Sequence, residues 1–237
     1  MAPERRVICV PQNLPSSSSL AQLCQNYKTA RLRALKEDPQ AFSSTYDRES
    51  QFDDATWAER LQNPLSKTFV AIHTEEADGT ETSDMEQLTR NKWLGMIVLF
   101  GPRALPADGS ECNTPWKPFL PPANLTEAPD PASIAGSEAA YVAFSMFVLV
   151  EARRQGLGRK LVGASVEAAR VEAISMRASR ANIGLWVEAN NQSAQRLYEA
   201  CGFNFLPDDP ALKAGHGVEI PQVVMGNLVE LSGERSG

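Results

Sequence analysis

The N-terminal quarter of the chain shows one strand-like and two helical patterns of apolar residues. Residues 5–10 (RRVICV) are a short β-rich run. Residues 16–39 begin with serines that can cap a helix, carry apolar residues three and four apart, and end at a proline. Residues 53–62 repeat the helical pattern over a shorter length, with an aspartate placed to cap its start. We therefore expect a strand followed by two helices.

Two further β-rich runs, residues 67–74 and 92–101, are separated by the polar stretch 75–91, which predicts an enlarged loop between neighbouring strands. Residues 101–137 then contain eight of the chain's sixteen prolines. Because proline lacks an N–H donor, regular structure is disfavoured there. Long loops inside compact domains are usually functional or disordered. We expect an excursion near the functional site, with an insertion of no role as the alternative.

The C-terminal half alternates strand and helix patterns. Residues 138–150 are the longest β-rich run and are apolar at almost every position, as in a strand buried on both faces. Residues 156–176 carry an apolar stripe at spacings of four, three, four and three, which predicts a helix. A strand at 183–189, a short helix at 190–203 and one or two strands within 203–231 follow. This order predicts a mixed α/β sheet.

Composition narrows the class of protein. With 237 residues and 43% of them apolar, the chain is expected to form a single domain (1–237) with a substantial core. A net charge of −6 argues against general nucleic-acid binding, which needs a broad basic face. Four scattered cysteines and two histidines predict no metal site. No segment suggests a signal peptide or a membrane span, so we expect a cytoplasmic protein, with the nucleus as the alternative.

The segment 151–161 (EARRQGLGRKL) places four cations around Gly156 and Gly158, between the long strand and the helix that follows it. A helix that begins there presents unpaired backbone N–H groups and the positive end of its dipole, which together form an anion site. Glycines let a phosphate approach the backbone, and arginines add charge-assisted hydrogen bonds. The spacing matches neither a P-loop nor the dinucleotide fingerprint.

Together with a second motif at residues 191–203, this segment resembles the GCN5-related N-acetyltransferase (GNAT) superfamily. The hallmark Q/R-x-x-G-x-G/A is matched by Arg153, Gly156 and Gly158. The resemblance covers about residues 138–205 and, less closely, 20–62. It implies a mixed, mostly antiparallel α/β sheet of about six or seven strands flanked by about four helices, with a V-shaped splay between two central strands. The second motif, N…A…LY…GF, is matched by Asn191, Ala194, Leu197, Tyr198, Gly202 and Phe203.

The resemblance also implies acetyl-CoA as donor, CoA as product and no metal. The pantetheine arm would pair with strand backbone at Met146, Phe147 and Val148, and Asn191 would hydrogen-bond the donor besides capping its helix. Val150 and Arg154 depart from the proline and glycine that the family often has there. The residues that would cradle the diphosphate are Arg153, Arg154, Gln155, Gly156, Leu157, Gly158 and Arg159.

In the implied chemistry a neutral amine attacks the thioester, a backbone N–H near Val148 binds the oxyanion, and Tyr198 protonates the departing thiolate. A phenol with a pKa of about 10 suits a thiol of about 8.5. The alternative for Tyr198 is a core residue. The base is expected at Glu138, or at Tyr141 or Ser145 acting through a water; the alternative for Glu138 is a solvated strand end.

The acceptor is expected to be a small-molecule or peptide amine. The protein would be a monomer or homodimer, with neither nucleic acid nor membrane as partner. A coenzyme A-binding module with degraded catalysis, acting as sensor or scaffold, is the rival interpretation. A nucleotide-phosphate binder lacks the Lys-Ser/Thr pair that it would need. Four residues could line the acceptor groove, three of them aromatics that alternatively belong to the core: Phe42, Tyr46, Glu49 and Trp57.

Overall fold

The computed structural model describes residues 4–12, 17–74, 83–207 and 222–231, which form seven strands and seven helices. The strands are β1 (Glu4–Cys9), β2 (Ser66–Thr74), β3 (Trp93–Leu105), β4 (Glu138–Val148), β5 (Arg180–Glu188), β6 (Asn204–Phe205) and β7 (Gln222–Glu230). The helices are α1 (Ser17–Glu37), α2 (Tyr46–Glu49), α3 (Asp54–Gln62), α4 (Asp84–Arg90), α5 (Pro131–Ile134), α6 (Leu157–Ser175) and α7 (Gln192–Glu199).

The strands form one sheet in the order β1-β2-β3-β4-β5-β7-β6. β1 pairs antiparallel with β2, β5 and β6 pair antiparallel with β7, and β4 runs parallel to β5. The pairing of β4 with β5 ends at Ala143 and Leu185, although the strands run on to Val148 and Glu188. The predicted mixed, mostly antiparallel α/β sheet is confirmed.

The chain divides into two compact units, each built from two segments. The first consists of Met1–Val98 and Ser145–Ala164, and the second of Leu99–Phe144 and Ser165–Gly237. The elements β3, β4 and α6 are each divided between the two units. The expectation of a single domain over 1–237 stays a prediction.

Helices α1 and α3 bury the faces that their apolar spacing predicts, and they form the core of the first unit with residues of β2 and β3. α3 starts where the sequence indicates, because the Asp53 carboxylate accepts a hydrogen bond of 2.8 Å from the backbone N–H of Thr56. The buried residues of the two helices include Leu23, Tyr27, Ala30, Ala34, Trp57 and Leu61.

The polar stretch between β2 and β3 is not entirely a loop, and that expectation is wrong for α4. Ser83 and Glu86 form a capping box at the start of α4, each side chain bonded to the other residue's backbone N–H. The Ser-x-x-Glu spacing is readable from the sequence and was the overlooked signal. Residues 75–82 lie outside the described residues.

The proline-rich segment packs as part of the second unit. β3 continues to Leu105, beyond its predicted end. Trp116 is fully buried, with its ring centroid 5.9 Å from that of Trp186, and Pro115 lies so close to Gly184 that a Cβ there would be 2.7 Å from its ring. Besides that strand extension, only the short helix α5 and a 3₁₀ turn at Lys117–Phe119 are regular among residues 101–137. Packing against β5 explains why this segment is ordered.

No helix of the described residues combines the length and the apolar character needed to cross a bilayer.

Candidate active site

The glycine segment of the first unit is an exposed turn between β4 and α6. After a 3₁₀ turn at Val150–Ala152, residues 153–156 lie at the surface. Arg154 and Gly156 have left-handed backbones, with φ of 61° and 78°. A Cβ on Gly156 would meet no atom within 4 Å. Glycine is therefore favoured here by its backbone conformation, while the space beside it is open to a ligand.

The start of α6 offers backbone donors beside this turn. The first intrahelical hydrogen bond runs from the N–H of Lys160 to the carbonyl of Gly156, at 3.1 Å. The N–H groups of Leu157, Gly158 and Arg159 precede it and have no intrahelical acceptor, as at every helix start. They coincide with the positive end of the dipole of a helix of 19 residues. This arrangement suits a phosphate or diphosphate.

The four cations around the glycines are not equivalent. Arg153 donates from Nε to the carbonyl of Val148 at 2.9 Å, and its Nη2 lies 3.2 Å from Asp38 Oδ2. Lys160 donates to the carbonyl of Arg5 at 3.1 Å. Arg154 and Arg159 are exposed and have no ion-pair partner among the residues that the structure describes. Of the predicted phosphate ligands, these two have the least competition from the protein.

The single carboxylate of the segment is neutralised. Glu151 lies 2.7 Å from Arg33 and 2.6 Å from Lys92, and hydrogen bonds from Arg33 and then Lys92 hold the pKa of its carboxyl well below the usual range. Gln155 folds its amide back onto the Glu151 carbonyl at 3.1 Å. The field at the turn therefore stays positive, which favours an anion.

The end of β4, predicted to bind the pantetheine arm, is held tightly against β3. The N–H of Leu149 donates to the carbonyl of Leu94 at 2.8 Å. A Cβ on Gly95 would lie 2.6 Å from the carbonyl oxygen of Phe147, so only glycine permits this approach. Phe147 is buried, while Met146 and Val148 are half-buried. The sequence analysis did not identify Gly95, since no motif marks it.

Tyr198 lies in α7, in the second unit, with its ring 5.7 Å from that of Phe203. It is 7% exposed, and burial raises the pKa of its phenol, with a smaller contribution from Cys201. The hydroxyl is protonated at neutral pH, as an unperturbed phenol also is, and can donate a proton. Its proton transfer to a thiolate is less evenly balanced than an unperturbed phenol would give.

Asn191 has the capping role predicted for it. Its Oδ1 accepts a hydrogen bond of 3.1 Å from the N–H of Ala194, at the start of α7. Gly202, just past the end of the helix, has φ of 89°, the left-handed conformation in which helices commonly end.

Glu138 is not the solvated strand end considered from the sequence. Its side chain is fully buried, forms an ion pair with Arg180, and accepts a hydrogen bond of 3.2 Å from Asn182. Tyr141, the other strand candidate for the base, donates from its hydroxyl to the carbonyl of Ala169 at 3.3 Å and to Glu172 at 3.1 Å. Both groups already serve the packing of the second unit.

Two of the four predicted acceptor residues lie in the interior of the first unit. Trp57 is fully buried, as the core alternative predicts. Glu49 is 1% exposed and forms ion pairs with Arg31 (2.8 Å) and Arg60 (3.0 Å). Phe42 and Tyr46 remain half-buried. Only these last two present surface to an acceptor.

The charge of Glu49 is fixed by its partners. Burial by itself raises the pKa of this carboxyl, but the hydrogen bonds and charge of Arg31, together with the charge of Arg60, bring the pKa below its ordinary value. The Arg31 guanidinium also lies 4.5 Å from the ring centroid of Phe42. Phe42 in turn makes an edge-to-face contact with Phe147, at 6.4 Å between centroids. The ion pair thus supports an aromatic contact to the end of β4.

No three His, Cys, Asp or Glu side chains come together as a metal-ligand group within the described parts of the chain.

Comparison with known proteins gives one family and one fold. Residues 130–205 match the family model described as an acetyltransferase (GNAT) domain. No curated protein shows significant similarity to the sequence. The solved structure of Arabidopsis thaliana NAA60 in complex with acetyl-CoA aligns with a TM-score of 0.51 at 14% identity, over 94% of this chain and 98% of that one.

Two further solved structures align less closely. The ribosomal-protein-S18-alanine N-acetyltransferase from Escherichia coli has a TM-score of 0.49 at 15% identity and covers 98% of both chains. The spermidine N-acetyltransferase from Vibrio cholerae, in complex with CoA and spermine, has a TM-score of 0.45 at 11% identity and covers 95% of both.

The matched family segment contains the end of β4, the glycine turn, α6, β5 and α7, which are the elements on which the predicted resemblance rests. Residues 130–205 therefore match a GNAT acetyltransferase domain in sequence and contain the elements that the family motifs predict.

Proposed function

We propose that the protein is an N-acetyltransferase that moves an acetyl group from acetyl-CoA to a primary amine. The observation that carries the proposal is the exposed turn 153–156, whose left-handed backbone leads into the free N–H groups of α6 within a GNAT domain. The shared fold of NAA60 in complex with acetyl-CoA supports the choice of donor. When bound, acetyl-CoA supplies the activated thioester.

The donor would be held mainly by backbone. The N–H groups of Leu157, Gly158 and Arg159 would bind diphosphate oxygens, with the side chains of Arg154 and Arg159 adding charge. Strand backbone at Met146–Val148 would bond the amides of the pantetheine arm as an added strand does. Asn191, already a helix cap, would contribute a further hydrogen bond.

Tyr198 would be the general acid for the thiolate that leaves. A phenol is protonated at neutral pH, so a proton is available in every turnover, although the raised pKa makes this phenol a weaker acid towards the thiolate. A backbone N–H near Val148 would bind the oxyanion, a role that needs no particular side chain.

The base is assigned to water acting on an amine that is bound neutral or loses its proton readily. Both carboxylate oxygens of Glu138 are engaged by Arg180 and Asn182, and the Tyr141 hydroxyl is a donor to Glu172, so we propose neither as the base. A small-molecule or peptide amine is proposed as acceptor, with Phe42 and Tyr46 as its contacts because they keep exposed surface.

Calorimetric titration with CoA tests the donor site. Arg159→Ala should weaken CoA binding about 10-fold, since a charge-assisted hydrogen bond contributes about 1.5 kcal/mol. Arg170→Ala, on the same helix but paired with Glu167 at the surface, is the matched control and should leave the affinity unchanged. Equal effects of both variants would contradict the proposed diphosphate site.

The rival function, a coenzyme A-binding module without catalysis, is favoured by the burial of Glu138 in an ion pair. Thiol release from acetyl-CoA in the presence of a panel of primary amines separates the two. Release coupled to formation of an acetylated amine, detected by mass spectrometry, supports the enzyme. Tight CoA binding without release supports the module.

A further inference from the structure

Arg153 already holds two partners that lie on different segments of the first unit. Its Nε donates to the carbonyl of Val148 at 2.9 Å, and its Nη2 lies 3.2 Å from a carboxylate oxygen of Asp38. The guanidinium is planar, with its donors in a fixed fork, so one orientation satisfies both contacts. The arginine is thereby held against the end of β4.

The Val148 carbonyl, which accepts a hydrogen bond from Arg153, also belongs to the strand backbone proposed to bind the pantetheine arm. If the donor binds as proposed above, the amides of the pantetheine arm bond to the backbone of Met146–Val148, and the Val148 carbonyl is one of the acceptors at that edge. A carbonyl oxygen has two lone pairs, so it can accept from the arm and from Arg153 Nε together. Release of Arg153 from Val148 would leave this carbonyl to the arm alone.

Asp38 is free to act as the counter-ion of Arg153. It directly follows α1 and precedes the 3₁₀ turn Pro39–Ala41, but its side chain makes no capping hydrogen bond to that turn. The ion pair is partly open to water, with 42% of each side chain exposed. A solvent-exposed pair of this kind contributes little stability and exchanges partners readily.

The diphosphate is a better partner for Arg153 than Asp38 is. It carries more negative charge than one carboxylate, and its binding site at the start of α6 is only four to six residues further along the chain. An arginine released from Val148 and Asp38 can therefore turn to the diphosphate. The same movement leaves the Val148 carbonyl to the arm and brings a cation to the diphosphate.

We propose that Asp38 is an internal anionic competitor for Arg153 that acetyl-CoA must displace, so that Asp38 sets the affinity for the donor. This inference rests on the proposed function. It assigns Asp38 a positioning role, exerted through Arg153. Donor binding would then also break the contact between Arg153 and the segment 38–49, which contains Phe42 and Tyr46.

Calorimetric titration of CoA into the full chain and three variants tests this in a double-mutant cycle. Asp38→Asn keeps the shape of the side chain and removes the charge, so CoA should bind about 2- to 5-fold more tightly, as expected for the loss of an exposed ion pair. Arg153→Ala should bind CoA more weakly. In the Arg153→Ala background, Asp38→Asn should have no further effect.

Asp47→Asn is the matched control, because it removes one negative charge from the exposed surface of α2. It should leave CoA affinity unchanged, and thermal unfolding should be the same for Asp38→Asn and the original protein. The inference is wrong if Asp38→Asn leaves the affinity unchanged or weakens it. It is also wrong if the gain persists without Arg153, since that is a general charge effect. Failure of the original protein to bind CoA would instead overturn the proposed function.

Discussion

Arg154 occupies a backbone conformation that glycine adopts at lower cost. Its φ of 61° is left-handed, and the only other non-glycine residues with positive φ in the described ranges are Ser145 and Arg177. A side chain in this region costs about 1–2 kcal/mol. An exposed arginine at the glycine turn is therefore a strained residue whose charge is available to a ligand.

Replacing Arg154 separates the effect of its backbone strain from the effect of its charge. Arg154→Gly should raise the free energy of unfolding by about 0.5–1 kcal/mol, because strain is relieved, and should weaken CoA binding several-fold, because a cation is lost. Urea unfolding and calorimetry measure the two effects. Arg177→Gly, also exposed with φ of 57°, should give the stability gain alone. Weaker CoA binding in both variants would argue against a specific role of Arg154.

Tyr198 is the residue on which the proposed acid catalysis depends. Tyr198→Phe should lower kcat about 10- to 1000-fold and leave CoA affinity nearly unchanged, since the ring and its packing on Phe203 are kept. Steady-state kinetics with an identified amine acceptor measure this. Tyr141→Phe is the comparison: it should lower the melting temperature, because the hydroxyl hydrogen shared between the Ala169 carbonyl and Glu172 is lost, with kcat retained. Full turnover of Tyr198→Phe would remove the phenol from the mechanism.

At the scale of elements, local sequence patterns predicted the helices and their caps, whereas contacts between segments far apart in the sequence were not predicted. α1 and α6 have long apolar stripes, and Asp53 and Asn191 cap helices where the sequence places them. The ion pair of Arg153 with Asp38 joins positions 115 residues apart and leaves no local pattern. Glu138 likewise receives its partners Arg180 and Asn182 from β5, so its burial was not readable from the flanking sequence.

The glycine turn was predictable for a related reason. Its glycines, its cations and the start of α6 are neighbours in sequence, so the candidate anion site is a local structure. By contrast, the burial of Trp57 and Glu49 depends on how α1, α2 and α3 pack, and the sequence left their exposure open. The sequence therefore determined the exposure of the predicted acceptor residues less well than any other part of the site.

The buried ion pair of Glu49 links the first three helices. Because its carboxyl pKa is lowered in the folded state, the stability that it contributes is present above the unfolded pKa of about 4.3 and is lost as pH falls through the folded pKa. Glu49→Gln leaves Arg31 buried without its counter-charge and should cost about 3–5 kcal/mol at pH 7.

Urea unfolding at pH 7 and at pH 4 measures this contribution. The free energy of unfolding of the original protein should fall between pH 7 and pH 4, whereas that of Glu49→Gln should depend less on pH. The stability difference between the two proteins should therefore be smaller at pH 4. Glu59→Gln, an exposed position in α3, serves as the control and should change stability by less than about 0.5 kcal/mol. Equal stability of Glu49→Gln and the original protein would show that the pair is not formed.

At the scale of the whole molecule, the segment that matches the GNAT family model does not coincide with either compact unit. Residues 130–205 take their glycine turn from the first unit and β5 and α7 from the second. The proline-rich segment belongs to the second unit, where Arg103 donates to the carbonyls of Asn124, Glu127 and Ala128. It is therefore part of the folded body of that unit.

Two glycine substitutions test whether this segment is part of the folded body. Gly184→Ala places a Cβ 2.7 Å from the ring of Pro115 and should cost about 1–3 kcal/mol. Gly163→Ala, in α6, meets no atom within 4 Å and should instead stabilise by about 0.5–1 kcal/mol. Thermal unfolding measures both. A neutral Gly184→Ala would mean that the segment does not pack on β5 in solution.

Gly95 shows how a residue that need touch no ligand can still limit turnover. Its missing side chain sets the separation between the β3 and β4 backbones at Phe147, and even a methyl group would push that carbonyl aside by several tenths of an ångström. In a saturation-mutagenesis screen, small substitutions at position 95 would then reduce product formation more than protein abundance. Such a pattern is easily mistaken for that of a residue in direct contact with the reactants.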